Sequence, residues 1–186
     1  MPLRALVFAL FLALSPAAAL AALKAGDPAP DFSIEAAEGG KDFTFHLAEA
    51  LKKGPVVLYF YPKSFTSVCT VEAHEFAEAM EDFAAAGASV IGVSSDSIET
   101  QREFSKKECR DKFPVGADPD FKVIKAYDAA FSLPVKGPVF ADRLTYVIRP
   151  GWQDSLRLCG RERAQSHRER ARRRAEVAGE PSEVRR

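Results

Sequence analysis

The chain has 186 residues, of which 47% are apolar and 28% charged, and it contains three cysteines. This size suits one globular domain, and three cysteines are too few for a disulfide-stapled scaffold. The 26 basic and 26 acidic residues cancel, so the overall charge gives no case for a nucleic-acid partner. The charge is unevenly placed, because residues 149–186 hold 11 Arg, no Lys and only six acidic residues.

The N-terminal segment has the pattern of an export signal. Arg4 precedes an unbroken apolar run, residues 5–14, which is short for a membrane span. Small residues at 17–21 then fit a cleavage site. We therefore predict a signal peptide over residues 1–21 and an exported mature chain, periplasmic or secreted, with no stable membrane insertion after cleavage. The alternative is an uncleaved N-terminal anchor.

The mature chain begins with strand patterns. Residues 32–34 and 43–45 alternate apolar and polar side chains around a Gly-Gly turn, which predicts a hairpin. Residues 56–61 form an apolar run between turn residues, and this pattern is typical of a strand buried on both faces.

Strands and helices then alternate. In chain order the patterns predict a helix over about 68–86, a strand over 89–94, a helix over 98–112, a short strand from 113, a helix over about 118–127, a loop over 130–141 and a strand over 144–148. Such alternation predicts an α/β domain with a largely parallel central sheet flanked by helices.

A cysteine stands where the strand over 56–61 gives way to a helix. Cys69 falls in the first helical turn, where unpaired N–H groups and the helix dipole favour the nucleophilic thiolate. Thr66 can place its hydroxyl beside the sulfur, and Pro62 can fix the loop and shield it from water. The alternative interpretation is a buried cysteine that acts as a small apolar side chain.

The order of a strand, Pro62-x-x-x-Thr66-x-x-Cys69 and a helix resembles the peroxidatic motif of the peroxiredoxins, the alkyl hydroperoxide reductase and thiol-specific antioxidant family. It is most similar to the branch related to bacterioferritin-comigratory protein. The likeness continues through the segments 57–62, 90–97 and 142–148. It implies a thioredoxin-like fold over residues 22–150 and an antioxidant enzyme that reduces peroxides with thiols and needs no cofactor or metal.

The resemblance also implies roles for individual residues. Cys69 would attack a peroxide and become a sulfenic acid. Thr66 would hydrogen-bond the peroxide or the thiolate, and Pro62 would exclude water. Arg143 matches the distant arginine of the family and would stabilise the thiolate and the leaving oxygen. The implied partners are a peroxide and a thiol reductant such as a thioredoxin-like protein, acting on a monomer or homodimer.

The residue that resolves the sulfenic acid is left open by the motif. Many members of this branch carry a second cysteine five residues after the first, but that position is His74 here. Cys109, near the end of the predicted helix over 98–112, is our candidate for the resolving residue. The alternatives are a structural thiol at Cys109 and reduction by an external thiol. No role is assigned to Cys159.

The tail over residues 151–186 departs from the family. One permitted codon spelling of residues 149–154 plus the first base of the Ser155 codon, read one base later, encodes Asp-Pro-Asp-Gly-Lys-Ile, which is what the family would have there. We therefore hypothesise a frameshift near residue 149. It would replace the last strand and a covering helix with a basic, irregular or disordered extension, although Leu156 and Leu158 could mimic a short strand.

Three other functions are weighed against the peroxidase. A thiol–disulfide oxidoreductase of the thioredoxin fold expects C-x-x-C, but Glu72 stands at the second position. A metal-delivery module expects C-x-x-x-C, which Ala73 breaks. The third alternative is an inactive or unstable product of the frameshift, because losing a strand and a helix can exceed the marginal stability of a domain.

Overall fold

The structure is a computed structural model that describes residues 23, 26–132, 139–151 and 155–159. The predicted signal peptide over 1–21 and most of the predicted tail lie outside the described residues. No helix in the described part of the chain has the length and apolarity to span a membrane.

The described residues contain nine strands and five helices. The strands are β1 Ser33–Glu38, β2 Lys41–His46, β3 Val56–Phe60, β4 Ser89–Ser94, β5 Val115–Ala117, β6 Ala130–Ser132, β7 Val139–Ala141, β8 Leu144–Ile148 and β9 Ser155–Cys159. The helices are α1 Leu47–Leu51, α2 Ser67–Glu78, α3 Met80–Ala85, α4 Ile98–Lys107 and α5 Lys122–Ala126.

Seven strands form the central sheet, in the order β2-β1-β5-β4-β3-β8-β9. The α/β class is confirmed, but the expectation of a mostly parallel sheet is corrected. Of the six pairings in the described sheet, only β3 with β4 and β4 with β5 are parallel. Helical crossovers join these parallel strands, whereas the strands outside them pair antiparallel, so the sheet is mixed.

Apolar side chains fill both faces of the sheet. All five residues of β3 are buried, as the apolar run predicted. Alternate residues join opposite clusters, with Val57 and Tyr59 on one face and Val56, Leu58 and Phe60 on the other. Helices α2, α3 and α4 contribute to the Tyr59 face, whereas α1 and α5 contribute to the opposite face.

The Tyr59 face is packed around aromatic rings. The Phe76 ring of α2 stacks on Tyr59 with centroids 4.1 Å apart, and burying such a ring stabilises the fold by about 1.5–3 kcal/mol. A Cβ atom at Gly92 would lie 2.6 Å from the Tyr59 ring. The close approach of the ring to β4 therefore requires glycine at this position.

The predicted helix over 68–86 is two helices. The chain turns at Ala79, whose N–H donates to the carbonyls of both Glu75 and Phe76 at 3.1 Å. After this tighter turn α3 continues, and Phe83 still stacks beside Phe76 with centroids 6.1 Å apart. No Gly or Pro marks the break, so the apolar periodicity could not predict it.

Two further helices are shorter than predicted. Helix α4 ends at Lys107, because Arg110 and Asp111 adopt left-handed backbones with φ of 54° and 56°. Helix α5 begins at Lys122, and the Asp118 carboxylate accepts hydrogen bonds from the N–H groups of Lys122 and Ile124 at 2.9 and 2.8 Å.

Two regions predicted to lack regular structure contain strands. Strands β6 and β7 pair antiparallel within the predicted loop over 130–141. In the predicted irregular tail, residues 155–159 form β9, which pairs antiparallel with β8. The alternation at Leu156 and Leu158 is therefore a strand, and for these five residues the expectation of disorder is corrected.

Candidate active site

Cys69 occupies the first turn of α2, at the carboxyl end of β3. Thr66 precedes the helix with an extended backbone, at φ of −82° and ψ of 149°. The Cys69 side chain is only 2% exposed, and its thiol is free. The strand–turn–helix context that the sequence predicted for this cysteine is therefore present.

Arg143 contacts the Cys69 sulfur. Its Nη2 donates a hydrogen bond to Cys69 Sγ at 3.2 Å. The sheet register explains this meeting, because β8 runs antiparallel to β3 with Leu144 opposite Phe60. The residue before β8 must therefore lie beside the residues that follow β3. The structure thus brings together two of the four residues to which the resemblance gave catalytic roles, and these two lie 74 positions apart.

Glu72 is the second partner of Arg143. The guanidinium Nη1 donates to Glu72 Oε2, and both side chains are largely buried, with 22% and 15% exposed. Burial alone would lower the pKa of Arg143, but the nearby Glu72 charge and the Cys69 sulfur raise it overall. The guanidinium is thus held charged, with one arm on Glu72 and the other on the sulfur.

The other two predicted residues belong to the turn before α2. The Thr66 hydroxyl donates to the Lys63 carbonyl at 3.0 Å, so its oxygen keeps lone pairs for a further donor. Thr66 is exposed and Pro62 is half-buried. No hydrogen bond joins Thr66 Oγ1 to Cys69 in the structure, so the predicted contact with a peroxide stays a prediction.

Cys109 lies just beyond α4 and is fully buried. It belongs to the same apolar cluster as Cys69, on the Tyr59 face of the sheet. Burial, followed by the charges of Glu108 and Asp111, raises the pKa of the Cys109 thiol. In this position the thiol stays protonated at neutral pH and is not an active nucleophile.

Side chains of α2 and the Cys109 segment also meet directly. His74 Nε2 and Glu108 Oε2 are 2.7 Å apart. Position 74, where many relatives carry the second cysteine, therefore contacts Glu108, the residue before Cys109.

The phenol of Tyr59 is buried in the same apolar cluster as Cys69 and Cys109. The Tyr59 hydroxyl has no hydrogen-bond partner among the described residues. Burial, and then the charge of Cys109 ahead of those of Glu72 and Cys69, raises the pKa of Tyr59. The phenol therefore stays protonated.

The spacing of three from Cys69 places Glu72 on the same helix face, where it can shape the site. The sequence gives it no firm role, because acidic residues near a helix start are common for dipole reasons alone. Sequence reasoning missed two other residues that shape the site. Asp96 and Gln101 were not singled out. For Asp96 the available signal was its position directly after β4, because carboxyl ends of neighbouring parallel strands meet at one edge. Gln101 lies within α4, and no local pattern marks it.

A thiol in the first turn of a helix, hydrogen-bonded by an arginine that directly precedes the neighbouring antiparallel strand of such a sheet, defines the class of thioredoxin-like peroxiredoxins. The AhpC/TSA family model matches residues 25–152. The chain belongs to this family, whose members are thiol-dependent peroxidases.

Individual relatives agree with this assignment. Peroxiredoxin Bcp of Bacillus subtilis (strain 168) is 37% identical over 106 residues, which cover 57% of this chain and 64% of that protein. Peroxiredoxin Bcp of Escherichia coli (strain K12) is 35% identical over 105 residues, covering 56% and 64%. The crystal structure of peroxidoxin BcpB from Mycobacterium tuberculosis superposes with a TM-score of 0.69 at 27% identity, covering 84% of this chain and 96% of that one.

Proposed function

We propose that this chain reduces hydrogen peroxide or organic hydroperoxides through a sulfenic acid on Cys69. The observation that carries the proposal is the hydrogen bond of 3.2 Å from Arg143 Nη2 to the Cys69 sulfur. It places a fixed positive charge beside the Cys69 sulfur, which is a soft nucleophile as the thiolate.

In the first step the Cys69 thiolate attacks the outer oxygen of the peroxide. A sulfur–oxygen bond forms as the oxygen–oxygen bond breaks, so the sulfur loses two electrons and the peroxide gains them. The leaving oxygen departs with the electron pair and takes up a proton as water or an alcohol. Arg143 faces the charge that develops on this oxygen, and the Thr66 oxygen can accept a hydrogen bond from the peroxide.

In the second step a thiol attacks the sulfenic sulfur, forming a disulfide and releasing water. We assign this thiol to Cys109, which shares the buried cluster of Cys69. Because both thiols are buried and Cys109 is protonated there, the start of α2 and the end of α4 must open before the sulfurs meet. An external thiol reductant then returns both cysteines to the reduced state.

We predict that slightly less than one equivalent of hydrogen peroxide removes two hydrogens from the intact mass of the wild-type chain. Cys109→Ser should instead gain one oxygen, since its sulfenic acid has no internal partner. The measurement is intact mass after rapid quenching, followed by peptide mapping of the disulfide.

Cys159→Ser is the matched control. The backbone of Cys159 pairs with Leu144 next to Arg143, so β9 ends at the same edge of the sheet. We expect Cys159→Ser to lose two hydrogens as the wild type does. Loss of two hydrogens from Cys109→Ser, but not from Cys159→Ser, would show that the assignment to Cys109 is wrong.

We also propose that the chain acts after export, on the strength of Arg4 and the apolar run over 5–14. We predict that protein recovered from the periplasm or medium of an expressing bacterium begins at about residue 22. N-terminal sequencing checks this expectation. A full-length chain retained in the cytoplasm would contradict it.

A further inference from the structure

We propose that Asp96 and Gln101 are positioning residues, which hold the turn over residues 61–66 closed and thereby control when the oxidised Cys69 becomes accessible. We call residues 61–66 the catalytic turn. The inference rests on the proposed function, because the state to be exposed is the Cys69 sulfenic acid.

Asp96 holds the backbone of the catalytic turn. Its Oδ2 accepts a hydrogen bond from Ser64 N–H at 2.7 Å and another from the Ser94 hydroxyl at 2.8 Å. Hydrogen bonds to an ionised carboxylate are about twice as strong as neutral ones. Ser64 lies between Pro62 and Thr66, so this bond fixes the centre of the turn.

Gln101 holds the side chains of the same turn. Its Oε1 accepts from the Tyr61 hydroxyl at 2.8 Å and from the Ser64 hydroxyl at 3.3 Å. Its Nε2 donates to Ser94 Oγ at 2.8 Å and to the Gly116 carbonyl at 3.0 Å. All four hydrogen-bonding positions of this buried amide are used, and they link the turn to β4, β5 and α4.

The turn is held in a strained conformation. Phe65 has a left-handed backbone with φ of 61°, which is unfavourable for a bulky residue. Its ring is 45% exposed and packs edge-on against Phe104 of α4, with centroids 5.2 Å apart. Opening the turn would relieve this strain, so the closed form depends on the bonds to the neighbouring Ser64.

The closed catalytic turn affects peroxide attack and the later reduction of the sulfenic acid in opposite ways. Peroxide attack needs the closed turn, because Thr66 and the start of α2 must be in place beside Arg143. Reduction of the sulfenic acid needs an open turn, because the Cys69 side chain is 2% exposed when the turn is closed. Weakening the bonds should increase the open population and so speed reduction without speeding peroxide attack.

The test uses the full chain with both Cys109→Ser and Cys159→Ser as the parent, so that Cys69 is the one cysteine left in the sequence and no internal thiol competes. The protein is oxidised with one equivalent of hydrogen peroxide, and dithiothreitol then supplies the two electrons that return the sulfenic acid to a thiol and water. Both rate constants are measured per titrated Cys69, by quenching and intact mass. We expect Asp96→Ala to raise the reduction rate about tenfold, the factor for one charge-assisted hydrogen bond. Asp96→Asn should fall between Asp96→Ala and the parent, because an amide oxygen still accepts.

Asp118→Asn is the matched control. Asp118 is also a carboxylate that accepts two hydrogen bonds, in its case both from backbone N–H groups, but it contacts α5 rather than the catalytic turn. We expect it to lower the denaturation midpoint and to leave both rate constants per active thiol unchanged.

Three results separate the explanations. A rise in the reduction rate for Asp96→Ala but not for Asp118→Asn, with no rise in the rate of peroxide attack, supports the inference. Equal rates for Asp96→Ala, Asp118→Asn and the parent would overturn it, since the bonds would then be only structural. Failure of the parent to gain one oxygen would instead contradict the proposed function itself.

Gln101→Met is a second, independent variant that removes contacts to the catalytic turn. We expect it, too, to raise the rate at which the sulfenic acid is reduced.

Discussion

Cys69→Ser is expected to lower the rate of peroxide turnover by at least about 10³-fold, as the loss of a nucleophile does in other enzymes that use one. A serine hydroxyl has a similar shape, but it is not ionised at neutral pH and its oxygen is a poor nucleophile towards peroxide oxygen. The measurement is the consumption of hydrogen peroxide with dithiothreitol as the electron donor.

The variant should keep the fold, so the loss reports chemistry. The Cys69 side chain is buried beside Ala73 and Phe76 in the Tyr59-face cluster, and a serine there changes little volume. Cys109→Ser is the paired control, because it removes a buried thiol of the same cluster and still consumes peroxide when an external thiol is supplied. The proposed function would be contradicted if Cys69→Ser and the wild type consumed peroxide at the same measurable rate.

The same comparison tests the alternative that the frameshift leaves an inactive or unstable product. A chain destabilised by its tail would lose activity in the wild type as well, so the two proteins would be equally inactive. The described structure keeps the contact between Cys69 and Arg143, and β9 covers the edge of β8. We therefore expect an active wild type.

The sequence could predict the part of the site that is local. An apolar strand, a turn and a cysteine in a first helical turn lie within one stretch of chain, and each follows from residue pattern alone. The β1–β2 hairpin and the burial of β3 were predictable for the same reason.

The contacts between distant segments were not predictable in this way. The pairing of Arg143 with Glu72 depends on the register of β8 against β3, which no local pattern encodes. The C-terminal end of α4 depends on the left-handed residues Arg110 and Asp111 rather than on periodicity. The start of α5 depends likewise on the hydrogen bonds that Asp118 accepts. Asp96 was missed because a single aspartate after a strand is common, and only its bond to Ser64 gives it a role.

Arg143→Gln is expected to lower the rate constant of Cys69 with hydrogen peroxide by about 10²–10³, the usual loss when a donor to a developing oxyanion is removed. The glutamine keeps a hydrogen-bond donor but loses the charge and the forked geometry that reaches both Glu72 and the sulfur. The measurement is the rate of sulfenic acid formation in single-turnover experiments, so the reductant step does not enter.

A surface arginine serves as the control. Arg102 shares its single Nε–H between the two oxygens of the Asp42 carboxylate, at 2.7 and 2.8 Å, and its Nη2 donates to the same carboxylate. It lies on the exposed face of α4. Arg102→Gln therefore removes a comparable ion pair with no contact to Cys69. Comparable rates for Arg143→Gln and Arg102→Gln would contradict the role given to Arg143.

Arg143→Lys separates charge from geometry. An ammonium group carries the same charge, but it is a compact donor on a flexible stem and cannot present two parallel N–H groups in fixed positions. If charge alone accelerated the reaction, lysine would restore most of the rate. We expect it to recover only part of the loss, because the bond to Glu72 is what aims the second arm of the guanidinium at the sulfur. The raised pKa of Arg143 keeps it charged at any pH near neutrality, so Arg143→Gln removes a full positive charge from the sulfur throughout that range.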